Sequence, residues 1–338
     1  MQRIVPSATF RRAACSLALF LTSINAAHAQ EKVFFPSADF ANMYEMSRAK
    51  GTPTQVFGYL TMPSNSVTGK IPVVVIAHGS GGIEKKDREF WAPYFNKLGF
   101  AALVVDSFTP RGVTRTVDDQ SLVSRAANTV DAFYALKFLA SDSRFDRNKI
   151  GIIGFSRGGT AANHTATMTF RNNVLRENKD LQFAFHIPMY LNCSDTGYRK
   201  KNSFDKTGAP MLFLLGGKDD YTPAAQCNGL LKGLQAEYKN VIDYRIYEGA
   251  NHSFDADNGV KYAAMAITGR NCAVVEIDLE TWSKHIVASN EPLPAEKEKE
   301  FYKSCVARGA SYGAYNTKYR EMATKDIEAF LRQTSFID

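Results

Sequence analysis

The sequence predicts a doubly wound α/β fold, a mostly parallel sheet with helices on both faces. Three observations carry this. The runs "IPVVVIAHG", "FAALVVDSF" and "KIGIIGF" are apolar and largely β-branched throughout, as strands buried on both sides are. Segments of helical spacing lie between them, which is the alternation of a wound parallel sheet. The alternation also continues to the end of the chain, where "YNTKYREMATKDIEAFLRQ" reads as a closing helix.

In chain order, the first segment stands outside this fold. "MQRIVPSATFRRAACSLALFLTSINAAHAQ" carries Arg3, Arg11 and Arg12, an apolar run from Ala13 to Leu21 and a small-residue ending, Ala27-His28-Ala29. That is the pattern of an export signal, with cleavage expected after Ala29. The apolar run is too short to span a bilayer. The expected mature chain, 30–338, is one domain in the periplasm or outside the cell. Net charge is +7 for the whole chain, part of it from the leader's arginines, and no basic run suits a nucleic-acid partner.

"PTQVFGYLTMP" reads as an early strand, antiparallel at a sheet edge, and "IPVVVIAHG" as the first buried one. "REFWAPYFNKLG" has helical spacing and a Gly99 stop. A long amphipathic helix is expected from about Asp119 to Ala140, with Ala127, Val130, Phe133 and Leu136 on one face. After "KIGIIGF", two more strands follow in "FAFHIPMYL" and "APMLFLLGG". Pro223 then starts the helix "PAAQCNGLLKGLQAEY", and "VIDYRIYEG" is the last strand of the series. Residues from Asp255 to about Tyr312 do not continue the alternation and are too long for a simple loop. They read as an insertion, either a flap beside the active site or a surface excursion.

Four cysteines lie beyond the leader: Cys193, Cys227, Cys272 and Cys305. An even number in an exported chain reads as two disulfides. Three pairings are possible; Cys193 leaves one strand and Cys227 enters the helix after the next, so these two are expected to pair, the alternatives being pairings that tie the insertion to the sheet edge. Cys272 and Cys305 then close the insertion, a loop of some thirty residues whose closure is worth roughly 3–4 kcal/mol. No cysteines sit close in sequence and the histidines are scattered, so no metal is expected.

The chemistry centres on "KIGIIGFSRGGTAAN". A strand climbs into Ser156, flanked at two residues by Gly154 and Gly158, and a small-residue helix begins at once. A lone G-x-S-x-G is weak evidence, but strand, serine and helix in this order are the context of a nucleophile elbow. The N–H of Arg157 would point at the reacting oxygen from the helix start. After "PVVVIA" comes His78-Gly79-Ser80-Gly81-Gly82, a turn able to aim a second N–H, that of Ser80, at the same oxygen. After "MLFLL" come Asp219 and Asp220, either able to orient a histidine, the second also suited to cap a helix. After "DYRIY" comes His252 in "EGANHSF". His164 falls in a helix and His186 in a strand, where packing or hydrogen bonding explains them. The chain order Ser, Asp, His is that of α/β-hydrolases.

Together "HGSGG", "DSFTPRG", "GFSRGG", "GGKDDYTP" and "YEGANHSF" resemble the dienelactone hydrolase family, over roughly 50–256 and the last helix. The resemblance implies an α/β-hydrolase fold and cleavage of esters or lactones without a cofactor. Its G-x-x-D-x-x-x-P pattern falls on Asp219, its nucleophile position on Ser156, and its histidine before Phe on His252. Well-known members use cysteine and a glutamate in the first turn, where this chain has Ser156 and Gly79. Arg111 is placed like the arginine that binds substrate carboxylate in such members, with a structural pairing to Asp106 or a loop carbonyl as its alternative. The expected activity is that of an exported serine esterase or lactonase acting on a small molecule. A peptidase of the same fold and a secreted binding domain without turnover are the alternatives.

Overall fold

The computed structural model describes residues 30–48, 50–63, 69–194 and 197–338; the leader and its cleavage site lie outside them. The strands are β1 (Glu31–Asp39), β2 (Thr52–Thr61), β3 (Ile71–Ala77), β4 (Ala101–Asp106), β5 (Phe145–Phe155), β6 (His186–Met189), β7 (Gly197–Lys200) and β8 (Ser203–Phe204). There follow β9 (Met211–Gly216), β10 (Ile242–Tyr247), β11 (Lys261–Thr268), β12 (Val275–Asp278), β13 (Lys284–Ile286), β14 (Glu291–Pro292) and β15 (Ala307–Tyr312). The α-helices are α1 (Met43–Arg48), α2 (Ala92–Lys97), α3 (Arg125–Ser141), α4 (Arg157–Thr165), α5 (Met168–Val174), α6 (Ala224–Glu237), α7 (Ala295–Cys305) and α8 (Lys318–Gln333).

An eight-stranded sheet runs in the order β1-β2-β4-β3-β5-β6-β9-β10. From β4 onward every neighbouring pair is parallel, while β2 is antiparallel to both β1 and β4. Alternation along β3 shows why its run is apolar throughout. Val73 and Val75 pack on one face with Val130, Phe133 and Leu136 of α3. Val74 and Ile76 pack on the other with Phe95 of α2 and Ile327 and Leu331 of α8. Farther along, α6 covers Phe213 and Leu215 of β9 through Leu230, Leu231 and Leu234. The α/β-hydrolase architecture expected from the strand–helix alternation is therefore present, with the antiparallel pair at its edge.

Several elements differ from the expectation. β1 is an added edge strand, tolerated with Pro36 because an edge position need not donate every ladder bond. The long helix starts at Arg125, where the Ser124 hydroxyl caps it by accepting from Ala127 N; residues 119–124 form a loop. The region 255–312 splits in two. β12, β13 and β14 join β7 and β8 in a separate five-stranded sheet, and β11 pairs β15 as an antiparallel ribbon. Disulfides join Cys193 to Cys227 and Cys272 to Cys305.

Two histidines are buried at the far end of α4. His186 Nδ1 donates to the Ala162 carbonyl, and His164 Nδ1 to Thr129 Oγ1, whose own proton goes to Arg125 O. Their Nε2 atoms have no partner among the described residues. Burial, with the Lys206 ammonium nearby, lowers both, His186 to about 3 from an ordinary 6.5. Below that ordinary value the unfolded chain therefore binds more protons than the fold. Stability present at neutral pH is lost as pH falls from 6.5 towards about 3. The urea midpoint should drop between about pH 7 and about pH 4.5, and drop less in His186→Gln. A wild-type midpoint that does not move would count against two buried neutral imidazoles.

Candidate active site

Four turns at the carboxyl ends of neighbouring parallel strands build the site: the turn after β3, the elbow after β5, and the loops after β9 and β10. At the elbow Ser156 adopts φ 54°, ψ −112°, a backbone state unusual for any residue with a Cβ. Glycine makes that turn possible. A Cβ on Gly154 would lie 2.0 Å from Gly158 O, and one on Gly158 would lie 2.0 Å from Ala77 O. The strand, the helix and the neighbouring strand are that close, so the serine is pushed out at the top of the sheet.

His252 lies between the other two residues. Its Nε2 is 2.9 Å from Ser156 Oγ, and its Nδ1 donates to Asp219 Oδ2 at 2.8 Å. With the proton on Nδ1, Nε2 is free to accept from the serine hydroxyl. The other Asp219 oxygen accepts from the backbone N–H groups of Tyr221 and Thr222, both at 2.8 Å. His252 and Asp219 are both buried. The His252 ring packs against Tyr190 and Tyr221, at 4.9 and 4.7 Å between centroids. Asp220 faces away and accepts from Ser311 N at 2.8 Å. Ser156, His252 and Asp219 thus stand in hydrogen-bond sequence, an arrangement able to perform acyl transfer.

The turn after β3 runs against the elbow, where a Cβ on Gly79 would sit 3.5 Å from that of Ser156. His78 pins it by donating from Nδ1 to Gly79 O while its Nε2 accepts from Ser107 N. Ser80 lines both cavities that meet at Ser156, and Arg157 lines one of them. The Arg157 guanidinium is buried among neutral acceptors: Asn128 Oδ1, the Gln120 carbonyl and side chain, and Val123 O. Burial, aided by Arg125, lowers it to about 9. It fastens the loop before α3 to the elbow.

Arg111 is not part of this cluster. A short turn closed by Gly112 at φ 70° carries it away from both cavities. Its guanidinium bonds both oxygens of the buried Asp131, together with Asp39 and the Ser107 carbonyl. Asp106 instead caps the turn through Phe108 N and Thr109. The expected carboxylate-binding arginine lines neither cavity; it pairs with Asp131 and Asp39 rather than Asp106, and its bond to the Ser107 carbonyl is of the kind the structural alternative expects. Arg111→Ala should destabilise the protein by about 3–5 kcal/mol, since it strands a buried charge. Turnover per folded molecule should be unchanged for acidic and neutral esters alike. A selective rise in KM for acidic esters would restore the binding role.

Other site residues escaped sequence reasoning. Lys86 is largely enclosed, with its ammonium 3.2 Å from Asp87, 3.3 Å from Asp255 and 3.3 Å from Tyr190 Oη. Burial alone would lower it; Asp255 and Asp87 outweigh that and hold it well above its ordinary range. Asp255 also accepts from Trp91 Nε1 and Tyr190 Oη, which anchors the loop that carries His252. Its position three residues after His252 was the available signal. Tyr221, two residues after Asp219, lines both cavities. Among the described residues, no group of three or more His, Cys, Asp or Glu is arranged to hold a metal.

The model of the dienelactone hydrolase family matches residues 56–277. The chain belongs to this family. Dienelactone hydrolases and their relatives form a hydrolase family, and the match spans all four turns of the site. The chain is 26% identical over 208 residues to a Bradyrhizobium sp protein described as "Probable 2-oxo-3-(5-oxofuran-2-ylidene)propanoate lactonase", covering 58% of this chain and 77% of that one. Among solved structures it is similar to m3DLH, with 20% identity, a TM-score of 0.47, and 68% and 87% of the two chains covered. It is also similar to MGS-M1, an alpha/beta hydrolase from a Medee basin deep-sea metagenome library, with 16% identity, a TM-score of 0.42, and 67% and 86% covered.

Proposed function

We propose that this member of the dienelactone hydrolase family is an exported serine hydrolase that cleaves a carboxylic ester or lactone through an acyl-enzyme. The observation that supports it best is the position of His252, 2.9 Å from Ser156 Oγ and 2.8 Å from Asp219 Oδ2. Ser156 Oγ attacks the carbonyl carbon as His252 Nε2 takes its proton. The carbonyl oxygen becomes an oxyanion, which accepts from the backbone N–H groups of Ser80 and Arg157. Collapse breaks the carbon–oxygen bond, and His252 returns the proton to the leaving alcohol. Water, deprotonated by His252, then attacks the acyl-enzyme, and the acid leaves as Ser156 recovers its proton. Asp219 holds the tautomer and faces the imidazolium that forms at each step.

Export is supported by the leader pattern and by two disulfides, which form in oxidising compartments. No helix among the described residues is long and apolar enough to cross a membrane. The test is labelling with a fluorophosphonate, followed by peptide mapping and turnover of a panel of esters and lactones with peptides alongside. Label on Ser156 with ester or lactone turnover is expected. An unlabelled serine, or turnover of peptides alone, would overturn the reading.

A further inference from the structure

Two cavities of unlike size and lining meet at Ser156. The larger, about 250 Å³, is walled by Phe155, Tyr190, Tyr221 and Tyr312, with Glu84, Lys86 and Arg115 also in its lining, and includes His252. The smaller, about 60 Å³, is polar and includes Arg157 but not His252. A cavity of about 150 Å³ is enough for a benzene ring, so the larger one takes a ring with room for substituents, and the smaller only a few heavy atoms. Chemistry decides which half of an ester enters which. The histidine must reach the leaving oxygen to protonate it. The cavity that contains His252 is therefore the one that receives the alcohol.

The inserted ribbon forms part of both walls. Ala263 of β11 and Tyr312 of β15 face the large cavity, and Ile267 and Thr268 the small one. The ribbon is also fastened to the loops beneath it. Gly313 N donates to His252 O at 2.7 Å, Ser311 N to Asp220, Thr268 Oγ1 to Tyr221 O, and Arg270 to Asp220 O. These are bonds of a fixed wall. We infer that the ribbon sets the specificity of the site, selecting esters of a ring-bearing alcohol with a short acyl group, and that Ala263 limits the size of that ring.

This rests on the serine-hydrolase reading, and the test separates the two. Benzyl acetate and methyl phenylacetate are isomers with unactivated leaving groups, carrying the ring on the alcohol or the acyl side. The wild type should prefer benzyl acetate by roughly tenfold or more in kcat/KM. Ala263→Leu and Ala263→Trp should lower kcat/KM for benzyl acetate progressively, and by at least about tenfold more than for ethyl acetate, whose smaller alcohol leaves room for the added carbons. Labelling of Ser156 by benzyl- and ethyl-bearing fluorophosphonates should show the same selective loss. Equal rates for the isomers, preference for methyl phenylacetate, or an equal fall for all substrates in the variants would overturn the inference while labelling of Ser156 keeps the serine-hydrolase reading. An unlabelled wild-type serine would overturn both.

Discussion

Ser156→Ala is expected to lower ester turnover by about six orders of magnitude, the scale on which loss of a serine nucleophile acts. The fold should stay intact. Alanine keeps the Cβ that the strained elbow already accommodates at φ 54°, and the bonds that hold the elbow are made by backbone, Ser156 N to Met189 O and Thr160 N to Ser156 O. Among the described residues, the hydrogen bond removed is that of the hydroxyl facing His252 in the cavity. Thermal melts and turnover measured on the same preparation would show an unchanged melting temperature beside absent activity. Turnover near that of the wild type would end the assignment.

Asp219→Asn is expected to lower kcat by about 10⁴, and local geometry explains why so conservative a change should do so much. One Asp219 oxygen accepts two backbone N–H groups, from Tyr221 and Thr222. In asparagine that position must stay the carbonyl oxygen, which turns the NH₂ group towards His252. The imidazole must then accept at Nδ1 and carry its proton on Nε2, where it cannot take one from serine. Asp220→Asn should be mild, since the amide oxygen can still accept from Ser311 N. Kinetics of both variants on one ester decide the matter, and reversed effects would exchange the roles of the two acids.

The site was legible where chemistry follows strand order. Ser156 and Asp219 each sit just past an apolar strand and His252 past the half-buried β10, and parallel pairing gathers those strand ends. The sequence left Arg111 open between a substrate and a structural role because its partners lie 72 and 20 residues away, Asp39 on a strand that the sequence hid and Asp131 on a helix face. β1 itself was hidden because Pro36 interrupts a run whose alternation of buried and exposed residues marks an edge strand. The ribbon was opaque for another reason. β11 is mostly exposed or half-buried, so its residues carry no apolar period, and its position comes from hydrogen bonds to the loops below.

Those bonds also bear on the order in which the molecule matures. His252 is joined through its carbonyl to Gly313, and its loop pairs with Tyr312. The nucleophile, 96 positions before His252, rests on strands that come much earlier in the chain. Contacts between distant segments close late, because chain entropy is lost before they return any stability. The elbow can therefore form while the histidine loop is still loose. On the proposed function, competence would wait until the stretch around 307–313 docks against the histidine loop, so a partly made chain would be catalytically silent.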